Sequence, residues 1–191
     1  MPKSANTIAA ALWPASGSRE LLRDALLVVA GSLLMTLAAK VQVPFWPVPM
    51  SMQSGAMLLI GAAYGGRLAA LSIGLYLLQG AIGLPVFAGG GGLAYLAGPT
   101  GGYLVGFLLG AAALGYLAER GAGRSVLDLL FCMLVAEVIL FGLGIAWLTT
   151  LVGFEKAIAV GLVPFLPGEA LKLALATALV RGFWLVARRD A

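Results

Sequence analysis

The sequence predicts an all-α membrane protein, a bundle of six transmembrane helices that forms a single membrane domain. Its 191 residues are 61% hydrophobic and 10% charged, with a mean hydropathy of +1.02, whereas soluble domains carry about 25% charged residues. A water-soluble fold cannot bury that much apolar surface. Glycine occurs 27 times, about twice its average frequency, and small residues allow helices to approach closely in lipid. Six apolar segments separated by turn-forming or charged residues complete the pattern.

Residues 1–20 are predicted to be a cytoplasmic N-terminal tail, and residues 21–191 the six-helix domain. The tail contains Pro2, Pro14 and several small polar residues, and the first long apolar run begins only at Leu21. This arrangement does not follow the plan of a secretory signal peptide. We therefore expect the tail to remain uncleaved.

The six predicted spans follow the tail in order, and the second and third are short, as if tilted or partly embedded between neighbours. A span needs about 17–25 mostly apolar residues. The segments are approximately Leu21–Ala39, Ser51–Tyr64, Leu68–Ile82, Tyr103–Leu117, Val126–Val152 and Gly168–Ala187.

The distribution of cations predicts the orientation of the bundle. Lys40 and Lys156 lie on one side of the six predicted spans, and nine cations lie on the other. Those nine are Lys3, Arg19, Arg23, Arg67, Arg120, Arg124, Arg181, Arg188 and Arg189. Because cytoplasmic loops carry the excess of Lys and Arg, both termini are predicted to be cytoplasmic.

Three connections on the outward side are longer than the inward turns, which predicts a cavity that opens outward. Residues 40–50 include three prolines, which prevent a continuous helix. Residues 83–102 include four consecutive glycines, and irregular backbone at membrane depth is tolerated only where it is buried in protein or lines a cavity. Residues 153–167 are apolar enough to form a turn or a short helix lying on the bundle.

Glu169 and Lys172 are the most informative candidates for ligand binding. They follow Pro167 and Gly168, which favour a helix start, and their i, i+3 spacing places them on one helix face. Ionisable residues at membrane depth indicate a functional site. A lysine that faces the cavity would bind an anionic group such as a carboxylate, and Glu169 could accept N–H hydrogen bonds. A self-neutralising pair, or a lysine that snorkels to the interface, is the structural alternative.

Three further polar residues lie within apolar segments. Glu137, in the middle of the fifth span, could pair with Lys172 or be protonated, and a structural role is as compatible with the sequence as a ligand role. Gln53 and Gln79 could each form hydrogen bonds between helices. Gln53 is the better candidate for the cavity because it adjoins the first outward loop.

Aromatic residues are concentrated around the predicted cavity. An interfacial aromatic belt would account for about half of them, but Phe87 and Tyr95 flank the glycine run, where apolar walls beside exposed backbone could hold a small, rigid ligand. The aromatic residues at the cavity are Phe45, Trp46, Phe87, Tyr95, Tyr103 and Phe165.

Several functions are disfavoured by composition. The net charge of +4 is explained by membrane topology and forms no basic cluster interleaved with aromatics, so no nucleic-acid partner is expected. Cys132 is the single cysteine and there is no histidine, which leaves little for a metal site. The glycines lack the spacing of a phosphate-binding loop. Without a paired-carboxylate motif, the chain is not expected to be an enzyme or to hold a cofactor.

Three motifs in the same order resemble the BioY family, the biotin-binding S components of energy-coupling factor (ECF) transporters. The run GLPVFAGGGGLAYLAGPTGGYLVGF, residues 83–107, resembles the central signature of that family. The segment VPFWPVPMSMQ, residues 43–53, resembles its proline-rich segment, and FLPGEALK, residues 165–172, its carboxy-terminal motif. The similarity extends over roughly residues 40–175.

The resemblance implies a six-helix subunit in a bacterial or archaeal plasma membrane that captures biotin at its outer face. It implies two kinds of partner, a transmembrane T component and a pair of cytoplasmic ATPases. When the family's ligand contacts are transferred through the carboxy-terminal motif, the resemblance implies that Glu169 and Lys172 are the principal ones. Loop residues from Phe87 to Gly90 would contact the fused rings, and residues 44–53 would close over the site. The predicted substrate-binding set is Glu169, Lys172, Phe87, Gly89, Gly90, Tyr95, Gln53 and Trp46.

The chain also departs from the family pattern. The family usually has Asp at position 169, and often an asparagine after the GLPVF motif, where this chain has glycines. The small-residue motif expected in the first helix is absent. Ser32 and Thr36 are the nearest equivalent for docking on the T component, with ordinary packing within the chain as the alternative. Another small anionic vitamin is the alternative ligand. The resemblance leaves open whether Lys172 meets the carboxylate or the ureido oxygen of biotin.

Overall fold

The computed structural model describes residues 7–122 and 125–187, so Lys3, Arg124, Arg188 and Arg189 of the cation count lie outside the described residues. The described chain is mostly helical, and a π-helical turn, Ala118–Ala122, follows α6. Its helices are α1 (Ile8–Leu12), α2 (Ser18–Lys40), α3 (Gln53–Tyr64), α4 (Gly66–Ala81), α5 (Leu93–Leu96), α6 (Gly101–Leu117), α7 (Val126–Val152), α8 (Phe154–Gly161) and α9 (Leu166–Ala187). Two short strands, β1 (Gln42–Val43) and β2 (Met50–Ser51), lie between α2 and α3.

Each of the six predicted segments coincides with a helix, α2, α3, α4, α6, α7 and α9, with ends that differ by at most three residues. The stretches Arg19–Lys40, Gly101–Gly121 and Val126–Val152 are long and apolar enough to span a membrane. Helices α8 and α9 are separated by a short break at which the chain bends by 51°, and they make a fourth span if the pair is counted as one. Helices α3 and α4 have 12 and 16 residues, about 18 and 24 Å at 1.5 Å per residue, against a hydrocarbon core of about 30 Å. A count of six spans therefore stays a prediction.

Helix α6 lies at the centre of the bundle and packs closely on α7. A Cβ added at Gly106 would lie 2.8 Å from the carbonyl oxygen of Leu140, and one added at Gly110 would lie 2.9 Å from that of Ala136. Glycine at these positions lets the two backbones approach to van der Waals contact, the packing mode expected in lipid. The close contact fixes α7, and with it Glu137, relative to the centre of the bundle.

The N-terminal tail contains structure that the sequence analysis did not predict. Helix α1 is capped by Thr7, whose hydroxyl accepts a hydrogen bond from the Ala10 amide at 3.3 Å, and Ile8 is buried in the core. Helix α2 begins at Ser18, before the predicted start. Local capping and a single buried side chain order a segment whose composition alone indicated a loop.

The first of the three connections predicted to face outward is a β-hairpin in the described structure. Gln42 pairs with Ser51 and Val43 with Met50 in an antiparallel register. The prolines lie in the turn between the strands, where the missing N–H groups remove no ladder hydrogen bond. The third of these connections, for which a turn or a short helix was predicted, contains the short helix α8. Both elements lie at the same end of the bundle as the start of α9.

Candidate ligand-binding site

The glycine-rich loop, residues 83–102, folds back on the end of α4. The Gly92 amide donates to the Gly80 carbonyl at 2.7 Å, and Phe87 and Gly90 form a two-way backbone bridge. Gly90 and Gly92 have φ values of 134° and 98°, which side chains rarely adopt. The turn places Phe87 inside the bundle, where its side chain is fully buried.

Three aromatic rings form one wall of the site. Phe87 makes an edge contact with Tyr76, with ring centroids 5.3 Å apart, and stacks on Tyr95 at 5.2 Å. Gly80 makes room for this wall, because a Cβ there would overlap the Phe87 ring. The Gly89 amide donates to the Tyr95 hydroxyl at 3.3 Å. The glycine run therefore serves to position two aromatic rings.

The hairpin is linked to the glycine loop by side-chain hydrogen bonds. Lys40 Nζ donates to the Phe87 carbonyl at 2.7 Å, and Gln42 Nε2 donates to the Ala88 carbonyl at 3.0 Å. This role of Lys40 was not predicted from the sequence, where the residue entered only the count of cations. Its position immediately before the proline-rich connection was the available signal.

A central cavity lies beneath the hairpin. Its space for the centres of water molecules is about 40 Å³, and one water requires about 10–15 Å³ by this measure. Two larger outer cavities, about 440 and 290 Å³, adjoin it along the hairpin. Its lining includes Gln53, Ser54, Tyr95, Tyr103, Phe165 and Glu169. Ligand pockets occupy about 300–1,000 Å³, so a small organic ligand could fill the central cavity only if the hairpin moved and joined it to the outer spaces.

The charged part of the site is at the start of α9. Lys172 Nζ donates to Glu169 Oε1 at 2.8 Å, to the Ser54 hydroxyl at 2.9 Å and to the Ser51 carbonyl at 2.6 Å. These contacts use all three ammonium donors. Glu169 is 8% exposed, and its second oxygen, Oε2, is buried with no hydrogen-bond partner among the described residues. The carboxylate thus keeps an acceptor available at the cavity wall.

Two serines in this network were not predicted from sequence. Ser51 and Ser54 bind Lys172 from β2 and α3, so the hairpin, α3 and α9 meet at one ammonium group. Small hydroxyl residues give little signal in an apolar segment, because packing explains them equally well. Their proximity to Gln53 was the only indication.

Gln53 connects the cavity to the aromatic wall. Its Nε2 donates to the Tyr76 hydroxyl at 2.7 Å, and its Oε1 accepts from the Ser51 hydroxyl at 3.1 Å. It lines the central cavity, as predicted. Gln79 forms the expected bond between helices, because its Oε1 accepts from the Ser32 hydroxyl at 2.7 Å.

Other predicted contacts are placed differently. Phe87 lies behind Tyr95 as support, and Gly89 lines an outer cavity. Trp46 is 73% exposed with its ring centroid 5.7 Å from Lys156 Nζ, and it is not among the residues that line these three cavities. Gly90 does not line these cavities either. Its backbone pairs with that of Phe87 and so forms the turn that positions the Phe87 ring.

Ser32 and Thr36 are engaged within the chain. Ser32 is 1% exposed and donates to Gln79, and the Thr36 hydroxyl donates to the Ser32 carbonyl at 3.0 Å. This geometry favours packing within the bundle for Ser32 over a docking role.

Glu137 does not pair with Lys172, whose contacts are with Glu169, Ser51 and Ser54. It lines a separate groove between α7 and α9, on which Glu169 also lies. No group of His, Cys, Asp and Glu residues within 7–122 and 125–187 is arranged to hold a metal ion.

Comparisons with known proteins agree on one family. The family model described as "BioY family" matches residues 5–189. The biotin transporter BioY of Rhizobium etli is 38% identical over 86% of this chain and 92% of its own length. That of Thermotoga maritima is also 38% identical, over 78% of this chain and 90% of its own length.

The fold is similar to that of a solved membrane protein. A crystal structure of the S-component for biotin from an ECF-type ABC transporter matches with a TM-score of 0.77 at 24% identity. The match covers 87% of this chain and 93% of the other. At this identity the likeness concerns the fold.

Proposed function

Because the chain belongs to the BioY family, we propose that it is a membrane subunit that binds biotin with high affinity for uptake. The family is one of transporters, so the chain is not an enzyme. The observation that carries the ligand assignment is the buried Glu169–Lys172 pair: Glu169 lines the central cavity together with Tyr95, and both members of the pair line an outer cavity.

The chemistry of biotin complements this site. Its carboxylate is an acceptor for the Lys172 ammonium, and its ureido N–H groups are donors for Glu169 Oε2 or for loop carbonyls. Its fused rings fit against Tyr95, which Phe87 supports from behind. The ureido oxygen is the second acceptor that Lys172 could meet. Buried polar groups left unpaired by an analogue would make the site selective.

The proposal places six spans in a bacterial or archaeal plasma membrane, with the cavity facing outward and both termini in the cytoplasm. The nine-to-two division of cations supports this orientation. In this orientation the hairpin, the glycine loop and α8 all lie on the outward side. Helices α3 and α4 would cross obliquely or end within the bundle.

The proposed partners are a transmembrane T component and two cytoplasmic ATPases. The sequence has no phosphate-binding loop, so ATP-driven uptake requires separate subunits. The similarity in fold to an S-component of an ECF-type ABC transporter supports this assembly.

Calorimetric titration of the purified protein with biotin and desthiobiotin tests the function. We expect tight binding of one biotin per chain and weaker binding of desthiobiotin, which lacks the second ring. Parallel titrations with other anionic vitamins test the alternative ligand. Tight binding of one of these without biotin binding would replace the assignment.

A further inference from the structure

Glu137 is a carboxyl group in the middle of α7 that the proposed binding site does not use. The residue is 6% exposed, and neither of its oxygens has a hydrogen-bond partner in the part of the chain that the structure describes. An ionised carboxylate without a partner is strongly disfavoured in a low-dielectric environment, and such a group is neutralised by a proton. At membrane depth an ionisable residue of this kind indicates function.

The groove between α7 and α9 brings Glu137 and Glu169 to one surface. Apart from these two acids the groove is lined by apolar residues, among them Leu134, Phe141 and Leu173. Glu169 lines both this groove and the central cavity. Glu169 is therefore common to the ligand site and to the groove that contains Glu137.

The site contains one cation for two carboxyl groups. All three donors of Lys172 are used by Glu169, Ser51 and Ser54. Lys172 and Glu169 neutralise each other, so an ionised Glu137 would leave the site with a net negative charge. Such a charge opposes the entry of an anion.

The other titratable groups on the elements packed around α7 do not line this groove. Helix α8 carries Glu155 and Lys156 in its first turn, both exposed. The hydroxyl of Tyr103 on α6 donates to the Gly161 carbonyl at 2.8 Å. The remaining groups are Tyr64 on α3, Tyr116 on α6, Glu119 and Arg120 in the turn after α6, Arg181 on α9, and Asp128 and Cys132 on α7 itself.

We propose that Glu137 is a proton-binding site and that its protonation is linked to the binding of the anionic ligand. The protonated acid leaves the Glu169–Lys172 pair neutral and allows the ligand carboxylate to enter. Loss of the proton adds a negative charge beside Glu169 and weakens binding. Ligand binding therefore takes up a proton when the pH is high enough to ionise Glu137 in the free protein.

The inference rests on the proposed function, because biotin is the anion used to test it. Biotin affinity is measured by calorimetry from pH 6 to pH 9 for the wild type, Glu137→Gln and the matched control Glu155→Gln. We expect the wild-type affinity to fall about tenfold as the pH rises, which is the effect of one added charge roughly 12 Å from the ligand carboxylate at an effective dielectric of about 20. Glu155→Gln should follow the wild type, whereas Glu137→Gln should show little change.

A second measurement uses only the wild type and does not depend on the folding of a variant. Binding enthalpies in buffers with different ionisation enthalpies give the number of protons taken up per biotin. We expect net proton uptake at the upper end of the pH range. Biotin binding without proton uptake, or a Glu137→Gln variant with the wild-type pH profile, would overturn the inference alone. Absence of biotin binding at every pH would overturn the proposed function and the inference together.

Discussion

Lys172 joins three separate parts of the chain at the edge of the cavity. Its ammonium group contacts Glu169 on its own helix, Ser54 on α3 and the Ser51 carbonyl on β2. A ligand acceptor that replaces one of these contacts would gain a charge-assisted hydrogen bond. The residue can thus couple ligand binding to the position of the hairpin.

Replacement of Lys172 by Met should weaken biotin binding about thirtyfold or more. Removal of one partner of a buried, hydrogen-bonded charge pair costs about 2–5 kcal/mol, and about 1.4 kcal/mol corresponds to a factor of ten. Calorimetric titration measures the loss. The matched control is Lys156→Met, which removes an exposed cation on α8. An affinity unchanged by Lys172→Met would show that the lysine has only a structural role.

Gly80 and Gly74 provide a matched pair of substitutions within α4. A Cβ at Gly80 would overlap the buried Phe87 ring, whereas no atom lies within 4 Å of a Cβ at Gly74. Gly80→Ala should destabilise the protein by about 1–3 kcal/mol through overpacking and should reduce biotin affinity by displacing Phe87 and Tyr95. Gly74→Ala should be neutral or stabilising by about 0.5–1 kcal/mol.

Thermal unfolding in detergent and biotin titration measure both effects. Similar unfolding temperatures and affinities for the two variants would contradict the assigned role of Gly80 in supporting the aromatic wall.

At the scale of elements, the hairpin and the glycine loop meet above the central cavity. Lys40 and Gln42 connect them through the carbonyl groups of Phe87 and Ala88. Because the central cavity is small, a ligand could occupy it only if this connection opened. The strength of the connection should therefore influence the rate of ligand exchange more than the equilibrium affinity.

Lys40→Met should increase the rate of biotin dissociation about fivefold. The bond from an exposed ammonium group to a carbonyl contributes on the order of 1 kcal/mol, and about 1.4 kcal/mol is a tenfold change. Stopped-flow fluorescence can follow exchange, because Trp46 lies in the hairpin turn. Arg67→Met, which removes an exposed cation in the first turn of α4 and leaves Trp46 untouched, serves as the control. A dissociation rate equal to that of the wild type would show that Lys40 does not restrain the hairpin.

The helices could be predicted from sequence more completely than the site. The fifth predicted span, Val126–Val152, has the same ends as α7 because Ser125 and Gly153 flank a long, mostly apolar run. The hairpin was not predicted, since two-residue strands carry no periodic signal. Helix α1 was missed for the same reason, because its five residues are ordered by a cap and one buried side chain.

Sequence identified cavity-lining residues best where a residue type was out of place in its surroundings. Glu169, Lys172 and Gln53 are polar within apolar segments, and the structure places all three at cavities. Phe87 was correctly associated with the aromatic wall, but sequence cannot separate a ligand contact from the ring that supports it. The role of Ser54 depends on the register between α3 and α9, which no local pattern determines.

At the scale of the whole molecule, the proposed orientation can be tested by labelling with a membrane-impermeant maleimide. Cys132 is buried and would first be replaced by Ser to give a cysteine-free background. Lys156→Cys should be labelled in intact cells, because α8 lies on the outward side in the proposed topology. Arg67→Cys, in the first turn of α4, should be labelled only after the membrane is permeabilised.

The two positions are informative together because α3 and α4 are shorter than a full span. If these helices did not carry the chain across and back, Arg67 would lie on the same side as Lys156 or within the bundle. Labelling of Arg67→Cys in intact cells would contradict the six-span topology, and labelling of neither site would contradict the exposure of α8. Biotin binding by each variant confirms that the labelled protein is folded. The expected pattern would place the cavity, and with it Glu169 and Lys172, on the side from which biotin enters.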